Sequence, residues 1–135
     1  MCKTDERDCK IAYLIQAYND SNAFKKLCYE LLEISNCEIF VHVDKKSEIS
    51  DFCIDNDKVH YINDREFVSW AGYNQGKLII NLIREALKFS VRFDTYVFLS
   101  ESDFPVYGKE KIYEKCYSKK IKVLGPIICS LWLGK

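Results

Sequence analysis

Apolar and polar positions along the chain fall into short blocks of two different periods. Ile11 to Ala17 is a nearly continuous apolar run with a charged lead-in and a polar exit at Asn19-Asp20. Such a run suits a strand covered on both faces of a parallel sheet. Phe24, Leu27, Cys28, Leu31 and Leu32 then recur at the i, i+3, i+4, i+7, i+8 spacing of a one-sided helix, with Asp20 or Ser21 placed to cap it. From Glu38 to Val43 the period returns to two: Ile39, Val41 and Val43 share one side, Phe40 and His42 the other. Strand, helix and strand joined by short connections predict a βαβ unit.

The alternation continues downstream. Val59 to Ile62 predicts a short strand and Phe67 to Trp70 a briefer extended segment. Ile79, Leu82, Ile83, Ala86 and Leu87 mark a second amphipathic helix opening near Tyr73-Asn74. Thr95 to Leu99 has the composition of a central strand, and Pro105 ends regular structure after it. Ile112, Tyr113, Cys116 and Tyr117 suggest a short third helix. The fold class is therefore α/β, an open and mostly parallel sheet flanked by helices. Ligands of such sheets bind at the carboxyl ends of the strands. Tyr18-Asn19-Asp20, Asp44-Lys45-Lys46 and Ser100 to Asp103 collect polar residues at that edge.

Composition narrows the function classes. A chain of 135 residues fits one small domain, and 48% apolar content is globular. Twenty basic and twenty acidic residues cancel, and no basic stripe interleaved with aromatics appears, so no nucleic-acid partner is expected. The seven cysteines form no C-x-x-C pair and only two histidines accompany them, which argues against a closed zinc site. Their odd number and scattered spacing read as free thiols in a reducing compartment. Met1 to Lys10 lacks an apolar core and is no secretory signal. Val123 to Leu133 is broken by Gly125-Pro126 and too short for a membrane helix. These readings lead us to expect no transmembrane segment and a cytoplasmic location, at most peripheral to a membrane.

Three blocks hold candidate chemistry. In His42-Val43-Asp44-Lys45-Lys46-Ser47, a strand-end Asp can accept from a uracil ring N–H while the lysines offset phosphate charge. Read alone, the block is more economically a strand exit with solvated charges, and His42 a hydrogen-bonded structural histidine rather than a catalyst. Ser69-Trp70-Ala71-Gly72-Tyr73 precedes a helix whose first N–H groups can face an anion, with Trp70 and Tyr73 able to stack on a base or sugar. Core packing accounts for it as simply. Glu101 and Asp103 follow a strand at a spacing reminiscent of a D-x-D metal site, a spacing common by chance. No P-loop, dinucleotide fingerprint or nucleophile elbow is present.

Taken in order, Lys10 to Tyr18, Ile39 to Ser47, Phe67 to Tyr73 and Tyr96 to Pro105 resemble the core-2/I-branching β-1,6-N-acetylglucosaminyltransferase family, which includes the peptide O-xylosyltransferases. The resemblance implies a GT-A-like (Rossmann-like) sheet that binds a UDP-sugar donor at its strand ends. It places Asp44 toward the uracil and Ala17 and Tyr18 beside the nucleoside. Trp70 and Tyr73 fall near the donor, and Asp103 in the Asp-Phe-Pro turn. It implies inverting transfer to a glycan or glycolipid acceptor with a Glu as base, and basic side chains rather than a metal on the leaving diphosphate; no metal or other cofactor is expected. Tyr18 stands where a His is usual, and Glu101 where many members have Gly, which puts an anion near the expected diphosphate path.

On this reading residues 1–9 are a charged lead, 10–118 the nucleotide-sugar-binding half of an incomplete GT-A-like domain, and 119–135 a divergent apolar tail. The family's base and its diphosphate-binding Arg and Lys belong to a C-terminal half, so the expected function is donor binding by a truncated glycosyltransferase of surface polysaccharide synthesis. Such a piece is expected to transfer no sugar and to self-associate through exposed core. The alternative is a non-catalytic module binding a nucleotide sugar or a partner chain. A flavodoxin-like domain is disfavoured, because no Ser/Thr-rich phosphate loop follows the first strand.

Overall fold

In the computed structural model the described residues are 10–34, 36–68, 73–89, 92–103 and 123–124, with 34, 73–75 and 123–124 described by their backbone alone. Strand β1 (Ile11–Ala17) is buried at every position, as is β2 (Cys37–Val43). Both are inner strands covered on both faces: β1 accordingly carries little polar alternation, and β2 buries even Glu38 and His42 of its alternating pattern. Between them α1 (Ser21–Ile34) starts where Asp20 Oδ1 accepts the Ala23 N–H at 3.0 Å, so Asp20 is its N-cap. Its apolar stripe, Phe24, Leu27, Cys28 and Leu31, packs on the sheet face formed by Ile11, Tyr13, Ile15, Ile39 and Val41.

A 3₁₀ turn (Ile49–Phe52) leads to β3 (Val59–Tyr61), which pairs with β2. Tyr61 braces that turn: its hydroxyl donates to the Phe52 carbonyl at 2.6 Å and accepts the Ile54 N–H at 2.9 Å. Helix α2 (Tyr73–Leu87) then carries the chain back across β1 to β4 (Thr95–Ser100). Leu78, Leu82 and Ala86 pack on Ala12, Leu14 and Phe40, so α2 covers the face opposite α1. Each of the leucines and Phe40 contributes roughly 1.5–3 kcal/mol by leaving water, the alanines less. Opposite faces follow from right-handed crossovers that run in opposite directions along the sheet, β1 to β2 through α1 and β3 back to β4 through α2.

Phe67 and Val68 lie in an irregular loop, and Ser69 and Trp70 fall outside the described residues. So does the third helix expected around residues 112–117. Val123–Leu124, in the segment expected to diverge, forms β5 and pairs parallel with β4. The strand order is β3-β2-β1-β4-β5 and every pairing is parallel. The order reverses between β1 and β4. That junction is the topological switch point, and the loops leaving the strands there form the edge at which such sheets hold ligands.

Candidate functional site

Four segments meet at this edge: the exits of β1, β2 and β4, and the loop from Asn63 to Val68. Ala17 closes β1, and its carbonyl accepts the Asp44 N–H at 2.8 Å. Asp44 follows β2 and is 2% exposed. Its Oδ1 takes the Lys46 N–H at 2.9 Å, an Asx-type turn. Among the described residues its Oδ2 has only longer neighbours, the Val68 N–H at 3.4 Å and Lys46 Nζ at 3.7 Å. A carboxylate has about four acceptor positions. Asp44 is thus a buried acid fixed through one oxygen and lightly engaged at the other.

The β2 exit is held by a side chain that sequence reasoning did not single out. Arg65 donates from Nε to the Val43 carbonyl at 2.9 Å, and from one terminal nitrogen to those of Asp44 and Ser47 at 2.8 and 2.6 Å. A planar guanidinium suits this fork, where a lysine offers a point charge. The Ser47 hydroxyl donates to the Tyr18 carbonyl, joining the β2 exit to the β1 exit. Lys46 Nζ reaches the Val68 carbonyl at 3.0 Å, and Lys45 Nζ lies 5.3 Å from the Phe67 ring centre. Both lysines are exposed.

His42 is wholly buried beneath the same edge. Its Nε2 accepts the Glu66 N–H at 2.8 Å, which requires the neutral ring with its proton on Nδ1. Burial lowers its pKa, outweighing the nearby acids. The structure therefore gives His42 a loop-holding role. Glu66 in turn pairs with Lys77 of α2 at 2.7 Å, and that hydrogen bond lowers the Glu66 pKa.

Asp103 closes the β4 exit: its Oδ2 accepts the Ser100 N–H at 2.8 Å, and its own N–H returns to the Ser100 carbonyl at 3.0 Å. Glu101, the anion expected near the diphosphate path, is instead turned inward, 3% exposed and bonded to the backbone after β1. Both acids of the E-x-D pair are thus engaged with backbone N–H groups. Among the described residues no cluster of three or more His, Cys, Asp or Glu is placed to hold a metal ion. Ala17, Tyr18, Asp44 and Asp103 come together at one edge. Trp70 lies outside the described residues, and of Tyr73 only the backbone, opening α2, is described.

A parallel sheet that reverses order beside polar, mutually bonded exit loops defines an α/β domain of the kind that holds a ligand at its strand ends. The family model of the Core-2/I-Branching enzymes matches residues 11–123, and the chain belongs to that family, one of glycosyltransferases. A search of curated proteins found no significant match. Among the described residues no helix is long and apolar enough to cross a membrane.

Proposed function

We propose that this chain binds the nucleotide of a UDP-sugar as the donor half of an inverting, β-1,6-N-acetylglucosaminyltransferase-like enzyme. The observation that carries the reading is Asp44, a buried carboxylate at the edge with one oxygen lightly engaged and two exposed lysines following it. Such an oxygen suits the ring N–H of uracil, which adenine does not offer in the same position. Tyr18 supplies a half-buried ring on the adjoining loop. The acceptor in this reading is a glycan or glycolipid of cytoplasmic surface-polysaccharide synthesis. The donor diphosphate is offset by basic side chains without a metal.

Calorimetric titration tests it. UDP is expected to bind more tightly than ADP or GDP, and equally well with EDTA or Mn²⁺. Asp44→Ala is expected to cost about 1–3 kcal/mol of UDP affinity, the range for a lost polar partner. Equal affinity for the three diphosphates would remove the base-reading role of Asp44, and restoration of binding by Mn²⁺ after EDTA would bring Glu101 and Asp103 back as ligands.

A further inference from the structure

Glu101 is one residue past β4, yet its carboxylate reaches across the switch point to the loop that joins β1 to α1. Oε2 accepts the Tyr18 N–H at 2.8 Å, and Oε1 accepts those of Asn19 and Asp20 at 3.0 and 2.8 Å. Oε2 also lies 3.2 Å from the Asn19 nitrogen, and the Glu101 N–H donates to the Gln16 carbonyl at 3.0 Å. The side chain is buried, and among the described residues no Lys or Arg forms an ion pair with it. A charge withdrawn from water needs compensation. Here it comes from three successive N–H groups and the N-terminus of α1.

Three converging N–H groups beside a helix N-terminus at a switch point form the kind of cradle that takes a ligand's phosphate in other α/β domains. In this chain the cradle is filled from within. An ordinary capping role would need one N–H. Glu101 takes all three, and the loop it orders is tied onward through the Tyr18 carbonyl to Ser47 and the Asp44 turn. We propose that Glu101 is the positioning residue of the donor loop. Its carboxylate supplies, within the chain, the anion that the Tyr18–Asp20 N–H groups would otherwise draw from a ligand. The loop is thereby fixed before nucleotide arrives, and the donor's phosphates lie outside the cradle. The assignment rests on the donor-binding reading above.

The test uses the full chain with Glu101→Gln, nearly isosteric but uncharged, and Glu101→Gly, which empties the cradle. Circular dichroism establishes that each is folded. In both, the Tyr18, Asn19 and Asp20 amides should exchange with solvent at least about tenfold faster than in the unsubstituted chain, the scale of one lost charge-assisted hydrogen bond. Uridine and UDP should lose affinity in the same proportion, because the loop and not a phosphate contact is disturbed. Inorganic phosphate should slow those three amides and restore uridine binding in Glu101→Gly, and leave the unsubstituted chain unchanged. A folded Glu101→Gln that keeps full uridine affinity would reduce Glu101 to a brace and overturn the proposal. So would a Glu101→Gly chain whose amides ignore phosphate. Should the unsubstituted chain bind neither uridine nor UDP, the donor-binding reading fails, and the exchange and phosphate arms still decide whether Glu101 fixes the loop.

Discussion

Replacing Arg65 by Ala removes three hydrogen bonds from a charged donor to the Val43, Asp44 and Ser47 carbonyls. Bonds to charged groups are worth about 1.5–3 kcal/mol each when one partner is truncated. The three share one side chain and their energies do not add. Arg65 is half-buried, so water reaches part of the vacated space. A total loss of about 2–4 kcal/mol follows. For a domain of this size that is a fall in melting temperature on the order of 10 °C, measurable by calorimetry or circular dichroism. Arg65→Lys should recover less than half of it, since an ammonium cannot span the fork. Because the Asp44 turn loosens as well, UDP affinity should fall in Arg65→Ala even at temperatures where the chain is fully folded. A variant that melts within about 2 °C of the unsubstituted chain would show that solvent satisfies these carbonyls and that the clamp is incidental.

Other expectations address single groups. Burial raises the Tyr61 pKa from 10.0 to about 12, so its stabilisation is complete below pH 10 and is lost as pH climbs through about 12. Denaturation across that window should show a smaller decline in Tyr61→Phe, which starts about 1–2 kcal/mol less stable; equal declines would refute the assignment. His42 has the opposite sign: its pKa lies below 6.5, so its contribution is full above that pH and lost as pH falls through the lowered value. An imidazole NMR titration with a midpoint at or above 6.5 would contradict the buried neutral ring. Cys53 is exposed while Cys28 and Cys37 are buried, and burial pushes the Cys28 thiol well above its usual range. Peptide-mapped alkylation should label Cys53 at once and the other two only in denaturant.

The elements legible in the sequence are those whose burial pattern is set by their own period. The α1 stripe from Phe24 to Leu31 and the unbroken apolar β1 appear where the hydrophobic repeat puts them. Asp20, one of two candidate caps, proved to be the cap because its oxygen meets the Ala23 N–H. The polar edge was also legible, since strand exits follow from strand positions. Its wiring was not. Arg65 sits in Asn63-Asp64-Arg65-Glu66, a charged stretch with no period, and its partners are backbone carbonyls that carry no residue-type signal. Glu101 drew notice as a possible ligand or obstruction. Only the parallel pairing of β4 with β1 brings it opposite the N–H groups of a loop 81 to 83 positions earlier. A carboxylate just past a strand at the switch point, facing a helix start, is the one signal that pointed there.

The register of β1 with β4, Ile11 opposite Thr95, has a consequence for how the chain is made. On a ribosome the β1–α1–β2 unit is complete long before β4 exists. The Lys10–Asp94 bond at the start of that pairing spans 84 positions, on the order of ten seconds of synthesis at about 5–20 residues per second. Throughout that interval one flank of β1, a strand with no exposed residue in the finished fold, has unpaired backbone, and until Leu87 is made it also lacks a complete α2 above it. Nascent chains stalled between β2 and β4 therefore present an association-prone edge, and chaperone dependence should peak at those lengths and fall once residue 100 has emerged.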